Sequence, residues 1–149
     1  MALRLGDFLV GAGVITPEQR DRVLEAQARS SRPFGVLAEE LFGIDPRDVE
    51  RAWAAQYVSW TGLHDLEHER FDDHALALVE RRQAWQFRVV PVRMDRSEAV
   101  VACGEAGLAR AARFVAWRIA TPCQFLIVPE AQLDAALERR YPIRQRRRA

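Results

Sequence analysis

Residues Arg4–Gln27 read RLGDFLVGAGVITPEQRDRVLEAQ, and their internal pattern decides how the first part of the chain folds. Leu5, Phe8, Leu9 and Ala12 recur at i, i+3, i+4 and i+7, one face of a helix. Gly13 is expected to end it. Thr16 suits an N-cap, Pro17 suits a first helical position, and Gln19 completes a capping box, so a second helix is expected to about Ala28. The glycines at Gly6, Gly11 and Gly13 are out of keeping with simple helices, because glycine weakens a helix interior. Glycine is useful where the backbone turns unusually or must come close to something else. Two readings follow: close helix-turn-helix packing, or a backbone surface that meets a ligand.

A fainter copy follows at an offset of 29 residues. Gly6 maps to Gly35, Phe8 to Leu37, Ile15 to Ile44, Pro17 to Pro46 and Gln27 to Gln56. Internal repeats outrank most other signals. A third helix is expected over about Phe34 to Phe42. Asp45-Pro46 repeats the start signal, and a fourth helix carries Val49, Ala52, Trp53, Gln56 and Tyr57 on one face.

After Tyr57 the texture changes. VSWTGLHDLEHERFDD is polar and reads as a joining segment. A helix is expected from Asp73 to about Arg82. QFRVVPVR and EAVVAC read as strands split by the turn MDRS, and QFLIV as a third strand. GLARAARFVAWRI and PEAQLDAALERRY read as helices, the second with Leu133, Ala136, Leu137 and Tyr141 inward. The expected class is α+β: a four-helix tandem-motif half over 1–60, a linker over 61–72, a three-stranded half with helices on one face over 73–143, and a basic tail over 144–149.

The chain has 149 residues, 49% of them hydrophobic, and a net charge of +1. No apolar run approaches a membrane span, and the opening residues, with Asp7 among them, do not form a signal peptide. The expected location is cytoplasmic, with any inner-membrane attachment peripheral and through a partner. Cys103 and Cys123 lack metal-ligand spacing and read as buried thiols. All 22 basic residues are arginine. Without lysine there is no Walker A motif and no Schiff-base or general-base lysine. Arginine holds its proton, but binds phosphate in a bidentate fork and stacks on flat rings.

No catalytic constellation emerges. His64 and His68 are four apart, but HDLEH is not HExxH and no third ligand is placed, so no metal site is expected. Glu39-Glu40 and Asp72-Asp73 read as solvated faces or caps, and Trp53 and Trp117 as core residues on apolar helix faces.

The opening stretch closely resembles the motif R-L-G-x-x-L-V-x-x-G-x-I-x-x-x-x-L-x-x-A-L-x-x-Q of the MshEN-type, or general secretion pathway protein E N-terminal, domain family. In that family a tandem pair of such motifs precedes a small α+β part, ahead of the ATPase core of type II secretion and type IV pilus motors. Many members bind cyclic di-GMP, each motif holding part of it. The resemblance implies a ligand site in the first copy at Arg4, Leu5, Gly6, Leu9, Val10, Gly13, Ile15 and Gln27; Leu24 is also kept. Arg20 stands where leucine is usual, and Val23 where alanine is usual. In the second copy it implies Arg32, Gly35, Ile44 and Gln56, and Ala52 is kept. There Pro33 replaces the leading basic residue and Phe42 the second glycine, with Gly43 one place late. The first copy reads as competent and the second as eroded.

Three functions are implied. One is a non-catalytic docking or regulatory module contacting a secretion or pilus component or ATPase. Another is a cyclic di-GMP sensor, with no cofactor otherwise. The last and weakest is a nucleic-acid or anionic-surface contact through the arginine tail.

Overall fold

The computed structural model describes residues 4–143, so the basic tail over 144–149 lies outside the described residues. The chain forms two compact units divided between Trp60 and Thr61.

The first unit holds α1 (Leu5–Gly11), α2 (Pro17–Ser30), α3 (Phe34–Phe42) and all but the last residue of α4 (Pro46–Thr61). The α2 start is the expected capping box: Gln19 N–H donates to Thr16 Oγ1 at 3.1 Å, and Thr16 N–H donates to Gln19 Oε1 at 2.9 Å. Gly13 ends α1 at φ +75°. The N–H groups of Val14 and Gly13 reach back to Leu9 and Val10 carbonyls at 3.0 Å each, a Schellman pair. In the second copy Gly43, at φ +62°, closes α3 with one bond from its N–H to the Glu39 carbonyl at 2.9 Å. The displaced glycine therefore still stops its helix, by the simpler left-handed cap.

The repeated glycines Gly6 and Gly35 serve a different end. A Cβ on Gly6 would lie 2.8 Å from Phe34 Cζ and 3.1 Å from Arg20 Cγ. A Cβ on Gly35 would lie 2.7 Å from Val49 Cγ1 and 3.8 Å from Leu5 Cδ2. In the repeat, Leu5 corresponds to Phe34 and Arg20 to Val49. Each copy thus lays its leading apolar side chain against the other's glycine, Phe34 more closely than Leu5. Gly6 and Gly35 thus give the close packing that the first of the two readings expects. Around this contact lie two small cores, one of Leu9, Ile15 and Ala52, the other of Val23, Leu37 and Ala38, with Phe34 and Ile44 packed against both.

The second unit holds α5 (Asp73–Leu76), α6 (Arg81–Phe87), β1 (Val90–Asp95), β2 (Glu98–Cys103), α7 (Leu108–Arg118), β3 (Cys123–Ile127) and α8 (Glu130–Arg140). The sheet order is β1-β2-β3, antiparallel between β1 and β2 and parallel between β2 and β3. The fold is therefore α+β.

Four local expectations are corrected. The helix expected from Asp73 to about Arg82 is two helices. Glu80 N–H bonds to Gln83 Oε1 at 3.0 Å and starts α6 afresh. Gln86 and Phe87, read as strand, end that helix, and Arg88 turns the chain at φ +51° before β1 begins. The sheet is not covered on one face only. Ala99 to Cys103 are all 0% exposed, and because successive strand residues point to opposite faces, both faces of β2 are covered. Finally, the segment read as a linker is bonded into the second unit. His64 N–H reaches the Ile127 carbonyl at 2.8 Å, Leu66 N–H reaches Gln132 Oε1 at 2.8 Å, and Asp72 N–H reaches the Val92 carbonyl at 2.8 Å.

Both cysteines are free thiols. Cys103 is buried, and burial, with Glu130 nearby, pushes its thiol up to about 12, so it stays protonated and inert at neutral pH. Cys123, expected to be buried, is half-exposed on the β3 strand. Trp117, expected in the core, is 77% exposed, because the buried stripe of α7 runs through Leu108, Ala111, Phe114 and Val115.

Candidate functional site

The first hairpin opens a cleft of about 490 Å³ lined by Arg4, Leu5, Gly6, Asp7, Arg20, Asp21, Leu24, Gln27 and Phe34. Its volume falls within the range of small-molecule sites, about 300–1,000 Å³. The start of α1 supplies Arg4 to Asp7, the inner face of α2 supplies Arg20 to Gln27, and Phe34 enters from α3. Helical spacing explains the α2 contribution: Arg20, Leu24 and Gln27 stand at i, i+4 and i+7.

Of the motif residues named from the sequence, Arg4, Leu5, Gly6, Leu24 and Gln27 meet at this cleft. Leu9 and Ile15 do not, being 0% and 4% exposed in the core beneath. Val10 packs against the same core, and Gly13 shapes the α1 terminus. The second-copy residues do not line this cleft. Gly35 packs on Val49, Ile44 against both small cores, and Gln56 is half-buried on α4. Arg32 makes a bidentate pair with Glu40, one arm at 2.7 Å, and that pairing raises its pKa further.

Charge in the cleft is balanced but uneven. Among the described residues the Arg4 guanidinium has no carboxylate partner. Arg20 sits 3.3 Å from Asp7 Oδ1 through Nη1 and 3.4 Å from Asp21 Oδ1 through Nε. Asp7 also accepts the Arg4 backbone N–H at 3.0 Å. The Gln27 amide donates to the Arg32 carbonyl at 3.2 Å. Sequence reasoning noted Arg20 only as a departure from the motif; the i, i+7 spacing from Arg20 to Gln27 was the signal that could have placed it here.

His68 groups with Asp65 and Glu67, all exposed, with ligand atoms within 4.8 Å of one another. Exposed acidic groups gather in this way without holding a metal. Among the described residues no helix is long and apolar enough to cross a membrane.

The described residues thus form a four-helix unit followed by a small mixed-sheet unit. The chain belongs to the MshEN domain family, whose profile matches residues 61–147. That match lies on the α+β unit, the less specific part of a sequence resemblance that spans most of the chain. Two solved structures share the fold. One is the structure of MshE with cdg (cyclic di-GMP), 24% identical with a TM-score of 0.52, covering 93% of this chain and 99% of that one. The other is the N-terminal domain of XpsE, 16% identical with a TM-score of 0.50, covering 91% of this chain and 92% of that one. A comparison with curated proteins found no match.

Proposed function

We propose that this chain is a non-catalytic regulatory domain that takes cyclic di-GMP into the cleft of its first motif. One observation carries the reading: Arg4, Leu5, Gly6 and Gln27 line the same open space. Arg4 offers an uncommitted fork to a phosphodiester or to the O6/N7 edge of guanine. Leu5 and Leu24 offer apolar walls to a base, and Leu24 is 37% exposed. That MshE, with the same fold, is known with the same ligand supports the assignment.

Isothermal titration calorimetry with cyclic di-GMP, and with GTP as control, tests it. Saturable binding selective for cyclic di-GMP is expected, weakened at least about tenfold in Arg4→Ala, since a hydrogen bond to a charged group contributes about 1.5–3 kcal/mol. No heat at high micromolar ligand would reject the reading. Gly6→Trp is an unsuitable variant: even a Cβ there meets the Phe34 ring, so lost binding would report lost packing.

A second reading, docking on a secretion or pilus ATPase or its partner, is favoured by the outer face of α7. Trp117 is 77% exposed beside Phe114, whose ring stacks on Phe87 at 4.1 Å. The Arg110 guanidinium lies 5.2 Å from the Phe87 ring centre. Tryptophan and arginine, here Trp117 and Arg110, are among the residues enriched in interface hot spots. Affinity capture from a native extract should recover such a component with the wild-type chain and lose it with Trp117→Ala. Recovery of no secretion, pilus or envelope protein would remove this reading.

A further inference from the structure

We propose that Arg20 is a second, latched cation of the cleft, held by Asp7 and Asp21 at rest and released to an anionic ligand of the phosphodiester class. This rests on the cleft being the cyclic di-GMP site. The arginine occupies a position where the family motif has leucine, and its stem packs on Gly6 as Val49, at the corresponding place in the second copy, packs on Gly35. Its Cγ lies over Gly6, 3.1 Å from where a Cβ would stand. Its head differs in kind, because it carries charge into the cleft.

The latch is a loose one. The contacts to Asp7 and Asp21, 3.3 and 3.4 Å, are longer than the roughly 2.7–2.9 Å of strong charge-assisted bonds, and each carboxylate takes one nitrogen rather than the fork. The Arg20 side chain is 31% exposed, so its head reaches solvent. Asp7 is less free, since its other oxygen holds the Arg4 N–H at the start of α1. A phosphodiester entering beside Arg4 can therefore offer Arg20 two oxygens in fork geometry, while Asp7 stays on the helix terminus. At rest the four charges cancel, and the cleft presents no strong field to simple anions.

The test is titration calorimetry with cyclic di-GMP at fixed ionic strength on the wild type, Asp7→Asn, Arg20→Leu and the double variant, with Arg4→Ala as reference. Asp7→Asn keeps the oxygen that caps α1 and removes the competing charge. It is expected to bind about two- to fivefold tighter, the size of a partly exposed ion pair. Arg20→Leu is expected to bind about tenfold weaker, the size of a charged hydrogen bond. The decisive arm is the double variant. If Arg20 touches ligand, its removal still weakens binding about tenfold in the Asp7→Asn background. If that loss disappears there, or in an Asp7→Asn, Asp21→Asn background, Arg20 only neutralises its two carboxylates and the proposal falls. It also falls if Arg4→Ala abolishes binding while Arg20→Leu and Asp7→Asn change nothing, an outcome that leaves the cleft assignment standing. If neither the wild type nor Asp7→Asn binds, the cleft assignment itself falls, and the latch with it. Urea midpoints check the fold of each variant, and Arg20→Met replaces Arg20→Leu if the latter departs from the wild type.

Discussion

Replacing Tyr141 by alanine is expected to destabilise the second unit by about 3–5 kcal/mol, the range for truncating a large buried aromatic. Tyr141 follows α8 and is 7% exposed. Its hydroxyl donates to the Leu76 carbonyl at 2.6 Å, tying the end of α8 to α5. Its own carbonyl accepts the Trp85 indole N–H at 2.7 Å, adding α6 to the same knot. Arg81 Nη1 donates to the Pro142 carbonyl one residue on, at 3.2 Å. Phenylalanine at Tyr141 keeps the ring and both backbone bonds, and strands only the Leu76 carbonyl. That variant is expected to lose about 1–2 kcal/mol. Urea denaturation followed by circular dichroism separates the two. Equal losses in Tyr141→Ala and Tyr141→Phe would mean that the ring contributes nothing and the hydroxyl everything.

Gly35→Val is the second large effect. The helix at Gly35 has an ordinary backbone, so the glycine is needed for space alone. A Cβ would lie 2.7 Å from Val49 Cγ1, and valine's single preferred helical rotamer leaves Val49 little room to turn away. Overpacking of this kind costs about 1–3 kcal/mol. The diagnostic result is rescue: Val49→Ala on its own should destabilise modestly, yet in the Gly35→Val background it should restore part of the lost urea midpoint. Simple addition of the two losses would show that α3 and α4 do not meet at Gly35.

The first four helices were legible because their signals are local. Thr16-Pro17-Gln19 and Asp45-Pro46 mark starts, Gly13 and Gly43 mark stops, and the apolar spacing between them has a helical period. The errors lie where distant contacts decide. Nothing near His64 or Leu66 announces that Ile127 and Gln132 hold them, so a polar stretch read as a linker. Val89 and Val90 drew Gln86 and Phe87 into a strand reading, although the Glu80–Gln83 cap had already begun a helix. Trp117 sits near an apolar stripe in sequence, but one turn past Phe114 the helix faces solvent. The candidate site was half legible. A motif could bring Arg4, Leu5, Gly6 and Gln27 to notice. It could not separate Leu9 and Ile15, which are core, from residues that reach a cleft, nor show Arg20 joining them.

The contacts of Leu5 on Gly35 and Phe34 on Gly6 are one contact made twice with the copies exchanged. Two separate single-motif hairpins would make the same pair across a dimer axis. In this chain Ser31, Arg32 and Pro33 join α2 to α3, turning an encounter between molecules into an intramolecular step at an effective concentration of about millimolar or more. Duplication with so short a tether has a genetic consequence. Because each glycine faces the other copy's leading side chain, a coding change at Gly6 or Gly35 is felt by both copies of the motif.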